Sequence, residues 1–386
     1  MENILVVGTN TRPVACSLSK LGYEVYSVDY FGCLDIKPCV NEYKSFLSQK
    51  PFHSSGFLSE RFHPTILEQM ASEYIEQVDH IICCSGVDPL KFPKNKIIGN
   101  IDVSSVQNKY KLYKNLKKRF EDLILLPETF KVEDVYELNE ISKTFPDKDF
   151  LIKPMEGSGG VGIRKLSPDD STINFDDVFL QEIIHGIDIS ASVISSGYEA
   201  QTILINQQLI GNEILGQVET YGYCGNISPN PNIDQRVMEN LKEISEEIIM
   251  GLDLVGSNGV DMIYKDGNIH VIEVNPRLQG TFEVTEASLD INMAETHINA
   301  CNGSIMTIPK PSKFAVKMVV FAKNKSLVGN LKMEGIHDIP AKNVIIEKGE
   351  PISTVLSTGR VLEETVFSGK NIVNIVYQNL ENIDQK

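Results

Sequence analysis

The chain has 386 residues, 42% hydrophobic and 23% charged, enough for a large core spread over two or three domains. Its formal charge of −16 argues against a general nucleic-acid surface, which needs cations to displace counterions from phosphates. It leaves room for a compact anion held in a local positive pocket. No apolar run approaches the roughly 18 residues of a membrane span. The opening Met1-Glu-Asn-Ile-Leu-Val-Val-Gly8 has neither a basic start nor a signal-type stretch, so a cytoplasmic protein without membrane partners is expected. The seven cysteines (Cys16, Cys33, Cys39, Cys83, Cys84, Cys224, Cys301) form no C-x-x-C pair, and reduced thiols are expected.

Ile4-Leu-Val-Val-Gly8 reads as a buried strand, followed by a helix to about Leu21 and a second strand from Tyr23 to Asp29. That order implies a parallel sheet with helices on its faces. The connecting turn, Gly-Thr-Asn-Thr-Arg-Pro, lacks two glycines of the dinucleotide fingerprint. Arg12 and Asp29 sit where a small ligand usually binds such a sheet, although Asp29 also fits an ordinary turn. Residues 31–65 read as loops, Ile66 to Gln77 as a helix, His80 to Gly86 as a third strand and Lys96 to Asn100 as a fourth. A first domain then closes near residue 105.

A basic helix follows from Val106, with Lys109 in its first turn, where helix N–H groups can help hold an anion. Most of its other lysines fit a solvated face. Next comes Phe150-Leu-Ile-Lys-Pro-Met-Glu-Gly-Ser-Gly-Gly-Val-Gly-Ile-Arg164. A strand delivers Lys153, and glycines then let the backbone turn several N–H groups toward phosphate oxygens. The lysine precedes the glycines and no G-K-[ST] follows, so this is not a Walker A loop. Val178 to Val193 reads as two strands joined by a hinge containing Gly186, with Asp188 beyond it. Asn240–Gly251 and Ile291–Cys301 read as helices.

Val260-Asp-Met-Ile-Tyr264 and Ile269-His-Val-Ile-Glu-Val274 flank Asp266-Gly267, the signature of a tight hairpin. Side chains two apart share a strand face, so Glu273 and Asn275 point together and Asp261 folds back beside them. Two carboxylates and an amide suit a hard cation; a charged, solubilising edge fits the same residues. Beyond Lys310, the segments Phe314–Ala322, Val344–Glu347, Pro351–Leu356 and Ile372–Tyr377 read as strands of a small β-rich unit.

In this order, the motifs resemble the ATP-grasp superfamily, which includes biotin carboxylase and many carboxylate–amine ligases; predicted archaeal ATP-dependent carboligases look similar too. The resemblance covers roughly residues 1–310. It implies α/β and α+β architecture: an open parallel α/β domain (1–105), an ATP-grasp core of two subdomains (106–180 and 181–310) and a β-rich C-terminal domain (311–386). It implies ATP with one or two Mg²⁺ or Mn²⁺ ions, small-molecule carboxylate and amine substrates, no nucleic-acid or membrane partner, and a possible homodimer.

Carried over by position, Lys109 and Lys153 match the phosphate-gripping lysines. Glu156, Gly157, Ser158, Gly159, Gly160 and Val161 match the flap over the phosphates. Gln181 stands where the family more often has a glutamate contacting the adenine amino group. Glu182, Ile183 and Ile184 match the adenine hinge, and Asp188 the ribose acid. Asp261, Glu273 and Asn275 match the metal ligands. Arg277, with Lys153, matches the catalytic cations, Arg277 steadying an acyl phosphate. Biotin carboxylases continue with an acid where this chain has Thr281, and Glu283 comes two residues late, which counts against bicarbonate as the acid.

Overall fold

The structure is a computed structural model and describes residues 2–55, 64–157, 159–167 and 175–384. Near the N-terminus, β1 (Asn3–Gly8), α1 (Arg12–Lys20), β2 (Glu24–Asp29), β3 (Glu42–Ser45), α2 (Pro64–Ala71) and β4 (His80–Cys83) build a parallel sheet in the order β3-β2-β1-β4. Ile4 and Val6 face Val14 and Leu18 of α1, while Leu5 and Val7 face Leu67 and Ala71 of α2. With both faces covered, β1 reads as one apolar run rather than an alternation.

Three expectations need correcting here. The fourth strand is Glu42–Ser45, inside the stretch expected to be loops. Its charged, half-exposed residues occupy a sheet edge and carry no apolar run. Residues 96–100 form no strand; Ile97 only bridges Ile81. Cys16 and Cys39 are joined in a disulfide that ties α1 to the short 3₁₀ turn Leu34–Cys39, whereas Cys33, Cys83, Cys84, Cys224 and Cys301 are free.

Two helices lead out of this unit, α3 (Ser104–Gln107) and α4 (Lys109–Phe120). The second is capped by Asn108, whose side chain accepts from Lys111 N. Its inner face is Lys109, Leu112 and Leu116, with Tyr110 and Tyr113 stacked beside it. Then β5 (Thr129–Phe130), α5 (Val135–Thr144), β6 (Phe150–Pro154), β7 (Arg164–Lys165) and β8 (Val178–Glu182) form a small antiparallel sheet, β5-β8-β6-β7.

The largest sheet draws on the rest of the chain. Its strands are β9 (Ile187–Ser195), β10 (Ala200–Ile210), β11 (Tyr223–Ser228), and, after α6 (Gln235–Gly251), β12 (Gly256–Lys265) and β13 (Asn268–Asn275). After α7 (Phe282–Leu289) and α8 (Met293–Cys301) come β14 (Phe314–Phe321), β16 (Ile336–His337) and β18 (Pro351–Gly359) of the same sheet, with β15 (Ser326–Val328) and β17 (Ile345–Ile346) paired in a separate three-stranded sheet. The order is β13-β12-β9-β10-β11-β14-β18-β16, so the sheet continues unbroken from the β12–β13 hairpin into the C-terminal strands. The segment expected as a strand at 372–377 lies instead in α9 (Leu362–Gln378), before β19 (Leu380–Asn382). Val373 and Val376 are buried three apart against β14 and β18, and that tertiary packing overrides their β-branched preference. Among the described residues no helix is long and apolar enough to cross a membrane.

One face of β9, β12 and β13 is apolar. Ile189, Ala191, Val193, Val260, Met262 and Val274 pack there on α6 and α4. The opposite face is left for polar groups, and it carries the candidate site.

Candidate active site

The hairpin turn consists of Asp266 and Gly267, both left-handed at φ 49° and 87°, the conformation a two-residue turn between twisted strands requires. It sets Asp261 directly opposite Glu273 and Gly259 opposite Asn275, while Ser190 of β9 lies opposite Asp261 on the other side. Residues two apart share a face, so one polar patch forms. Asn275 Nδ2 donates to Asp261 Oδ2 at 3.0 Å, and Ser190 Oγ donates to Asp261 Oδ1 at 2.7 Å. Burial, reinforced by Glu273 opposite, pushes the Asp261 carboxyl up to about 6. Burial also works to raise Glu273, but Lys109, Lys153 and Arg277 together hold it below the ordinary carboxylate range.

Lys109 reaches around the edge strand β13 and places Nζ 2.5 Å from Glu273 Oε1. Its backbone N–H donates to Met155 O, which ties the start of α4 to the start of the glycine loop. Lys153, on β6, is also buried, and its Nζ donates to Gln181 Oε1 at 2.8 Å. Gln181 in turn donates through Nε2 to Thr129 Oγ1 at 3.3 Å. Burial and the neighbouring Lys109 bring the Lys153 ammonium down to about 8.

Glu156, Gly157, Gly159 and Val161 lie exposed, and Gly160 is half-buried; Ser158 lies outside the described residues. The hinge residues are partly engaged within the small sheet. Glu182 and Ile183 give their N–H groups to Glu128 O and Asp149 O, and the Glu182 carboxylate takes Lys148 at 3.0 Å. The Ile184 N–H has no hydrogen bond among the described residues. Gly186 is pressed on the hairpin: a Cβ there would stand 2.4 Å from Tyr264 O. Asp188 is half-buried on the same strand face as Ser190, and burial raises its carboxyl.

Arg277 borders a cavity of about 390 Å³, counting its opening to solvent, beside Cys84, Asn100 and Leu278. It makes no hydrogen bond among the described residues, although Glu273 and Asp261 are close enough to favour its charge. Thr281 is buried, with its hydroxyl 2.9 Å from Ser192 Oγ. Glu283 is withdrawn into an ion cluster, with Arg12 Nη2 at 2.6 Å and Lys317 Nζ at 3.1 Å. Arg12 also meets Asp338 at 2.7 Å and Asp35 at 3.4 Å, so its guanidinium is taken up by three carboxylates. Ser190, Lys317 and Asp338 were not found by sequence reasoning. Each acts across long sequence separations, and no local spacing marks them.

The pattern defines a class: a glycine loop and the buried Lys153 of one sheet, with Lys109 from the start of α4, beside a hairpin of two carboxylates and an amide on another. Residues 106–281 match the family model described as ATP-grasp domain. An uncharacterized protein of Methanocaldococcus jannaschii is 34% identical over 397 residues, covering 99% of this chain and 93% of that one. The chain belongs to the ATP-grasp superfamily of ATP-dependent enzymes. The formate-dependent phosphoribosylglycinamide formyltransferase of Saccharolobus solfataricus is 26% identical over 265 residues, 61% of this chain and 64% of that one. Among solved structures, the biotin carboxylase domain of Hydrogenobacter thermophilus 2-oxoglutarate carboxylase, a dimer with MgADP, ADP and bicarbonate, aligns with a TM-score of 0.72. It is 14% identical, covers 98% of this chain and 90% of that one, and so shares the fold.

Proposed function

We propose that the chain activates a small carboxylate as an acyl phosphate at the expense of ATP and passes the acyl group to an amine. The observation that carries this reading is the meeting of two buried lysines, a facing carboxylate pair and an Arg277 guanidinium that makes no hydrogen bond among the described residues. A carboxylate oxygen attacks the γ-phosphorus, the bond to the bridging oxygen breaks, and ADP leaves. The amine nitrogen then attacks the acyl carbon, phosphate departs with its oxygen, and the amine loses a proton. Such transfer needs positioning and charge neutralisation more than a protein nucleophile.

In this reading Lys109 and Lys153 hold the phosphates and Arg277 the acyl phosphate, while residues 156–161 shut out water. Gln181, Glu182, Ile183 and Ile184 border the base, and Asp188 takes the ribose. Asp261, Glu273 and Asn275 suit a hard divalent cation. Their donors are oxygens, Glu273 raises the Asp261 carboxyl, and the Lys109 ammonium already sits against Glu273. Mg²⁺ bound there would neutralise polyphosphate charge. With two carboxylates in the set, further ligands would come from nucleotide and water. Thr281 in the acid's place, and Glu283 locked to Arg12 and Lys317, argue for an organic acid rather than bicarbonate.

Hydroxylamine trapping tests the reading. Enzyme, MgATP and a panel of carboxylates including formate and bicarbonate should yield one hydroxamate, lost in Glu273→Gln. A stable phosphorylated product indifferent to hydroxylamine would overturn it in favour of a kinase.

A further inference from the structure

The loop that follows β10 touches the glycine flap at its tip. Tyr223 N–H donates to Gly159 O at 3.0 Å. At the next residue the two backbones meet: a Cβ on Gly160 would lie 2.0 Å from Tyr221 O and 3.0 Å from Gly222 Cα. A Cβ on Gly159 would meet nothing within 4 Å. Both glycines are left-handed, φ 69° and 81°, so they share the conformational demand, but only Gly160 faces a wall.

That wall is itself firmly built. Gly211 N–H donates to Gly222 O at 2.8 Å, and a Cβ on Gly211 would stand 2.1 Å from Thr220 O. Gly222 lies against the Gln217 side chain, 2.4 Å from where its own Cβ would be. Beyond the wall, the Tyr223 phenol donates to Asn226 Oδ1. Asn226 is fully buried and pairs across the sheet with Lys317, which donates to Gly280 O at 3.2 Å and Glu283 Oε2 at 3.1 Å. Gly280 leaves space for the same phenol, since a Cβ there would stand 2.9 Å from it.

We infer that Tyr221–Tyr223 is the surface on which the flap closes, and that Tyr223 is a positioning residue linking that closure to the Arg277–Glu283 segment. Its main chain holds the flap, while its phenol bonds Asn226 and lies against Gly280 of that segment. What closure accomplishes rests on the ligase reading above; the contact itself does not. Burial, with Asp261 and Glu283 adding to it, holds the phenol neutral, so it stays a donor.

The sequence contains no tryptophan, so one placed at the exposed flap position by Val161→Trp reports against a dark background. Without nucleotide, adding Gly160→Ala should red-shift the introduced indole, as the flap leaves its wall, while adding Gly159→Ala should not. With a non-hydrolysable ATP analogue, the Gly160→Ala protein should need at least about tenfold more nucleotide to reach the closed emission, and the Gly159→Ala protein less than about fivefold more. Amide exchange of residues 217–225 in the enzyme without the probe should slow on adding the analogue and stay fast in Gly160→Ala. Equal behaviour of the two alanine variants in emission and exchange would overturn the docking. Tyr223→Phe should keep the docked emission yet raise ADP released per acyl product several-fold; an unchanged ratio would overturn the linkage. Docking confirmed without any hydroxamate would leave this inference standing and fell the ligase reading alone.

Discussion

Lys153 Nζ donates to Gln181 Oε1 across 2.8 Å, with both side chains shut away from solvent. The acceptor is a neutral amide, and the nearby Lys109 adds positive charge, so burial and that neighbour lower Lys153 from 10.5 to about 8. The unfolded chain therefore binds the extra proton between about 8 and 10.5, and stability linked to this lysine is lost as pH falls through about 8. For nucleotide the sign is opposite, because phosphate favours the ammonium form. Above pH 8 the KM for ATP should rise, approaching about tenfold per pH unit for one linked proton. Gln181→Glu supplies a carboxylate partner and should move that break upward by about one unit. A KM profile from pH 7 to 9.5 for both proteins checks it; coincident breaks would mean Lys153 is not the titrating group.

Arg12 gathers Glu283, Asp338 and Asp35, joining the first sheet to α7 and to the loop after β16. Arg12 and Lys317 overcome burial to hold the Glu283 carboxyl down to about 2, and Arg12 likewise depresses Asp338. Arg12→Met strands these buried carboxylates and should cost about 3–5 kcal/mol at pH 7. Both acids are depressed in the native state, so their stabilisation is present at neutral pH and lost in acid. The deficit of the variant should accordingly shrink as pH falls. Thermal unfolding at pH 7 and at about pH 3 measures this; a deficit that does not change with pH would point to lost packing rather than lost charge pairing.

The hairpin was legible because Asp266-Gly267 both makes the turn and sets the register, which leaves Asp261 and Glu273 only one way to face. The lysine-and-glycine loop was legible for the same reason, since residue type and conformation are local there. The Arg12 cluster was not, because Arg12 is 271 residues from Glu283 and 326 from Asp338, and no period connects them. The Cys16–Cys39 link was missed similarly: composition spoke for reduced thiols, while the fold lays α1 against residues 34–39. At 372–377 a β-branched run was given more weight than its spacing of three and four, which the neighbouring strands reward with burial.

Asp29 ends β2, fully buried, with Oδ1 accepting from Gly32 N at 3.0 Å and from the Tyr43 hydroxyl at 3.2 Å. Those bonds favour the carboxylate, but burial outweighs them and pushes the group from 3.8 up to about 7. Between those values the native protein keeps a proton that the unfolded chain has released. Stability linked to Asp29 is therefore full below about pH 4 and lost as pH rises through about 7. Above that the native state carries a buried charge. Asp29→Asn keeps an oxygen acceptor for Gly32 and Tyr43 and removes the charge. It should raise Tm at pH 8, leave it nearly unchanged at pH 5, and flatten the slope between. Parallel Tm profiles for the two proteins from pH 5 to 8 would show that another group sets the alkaline side of the stability curve.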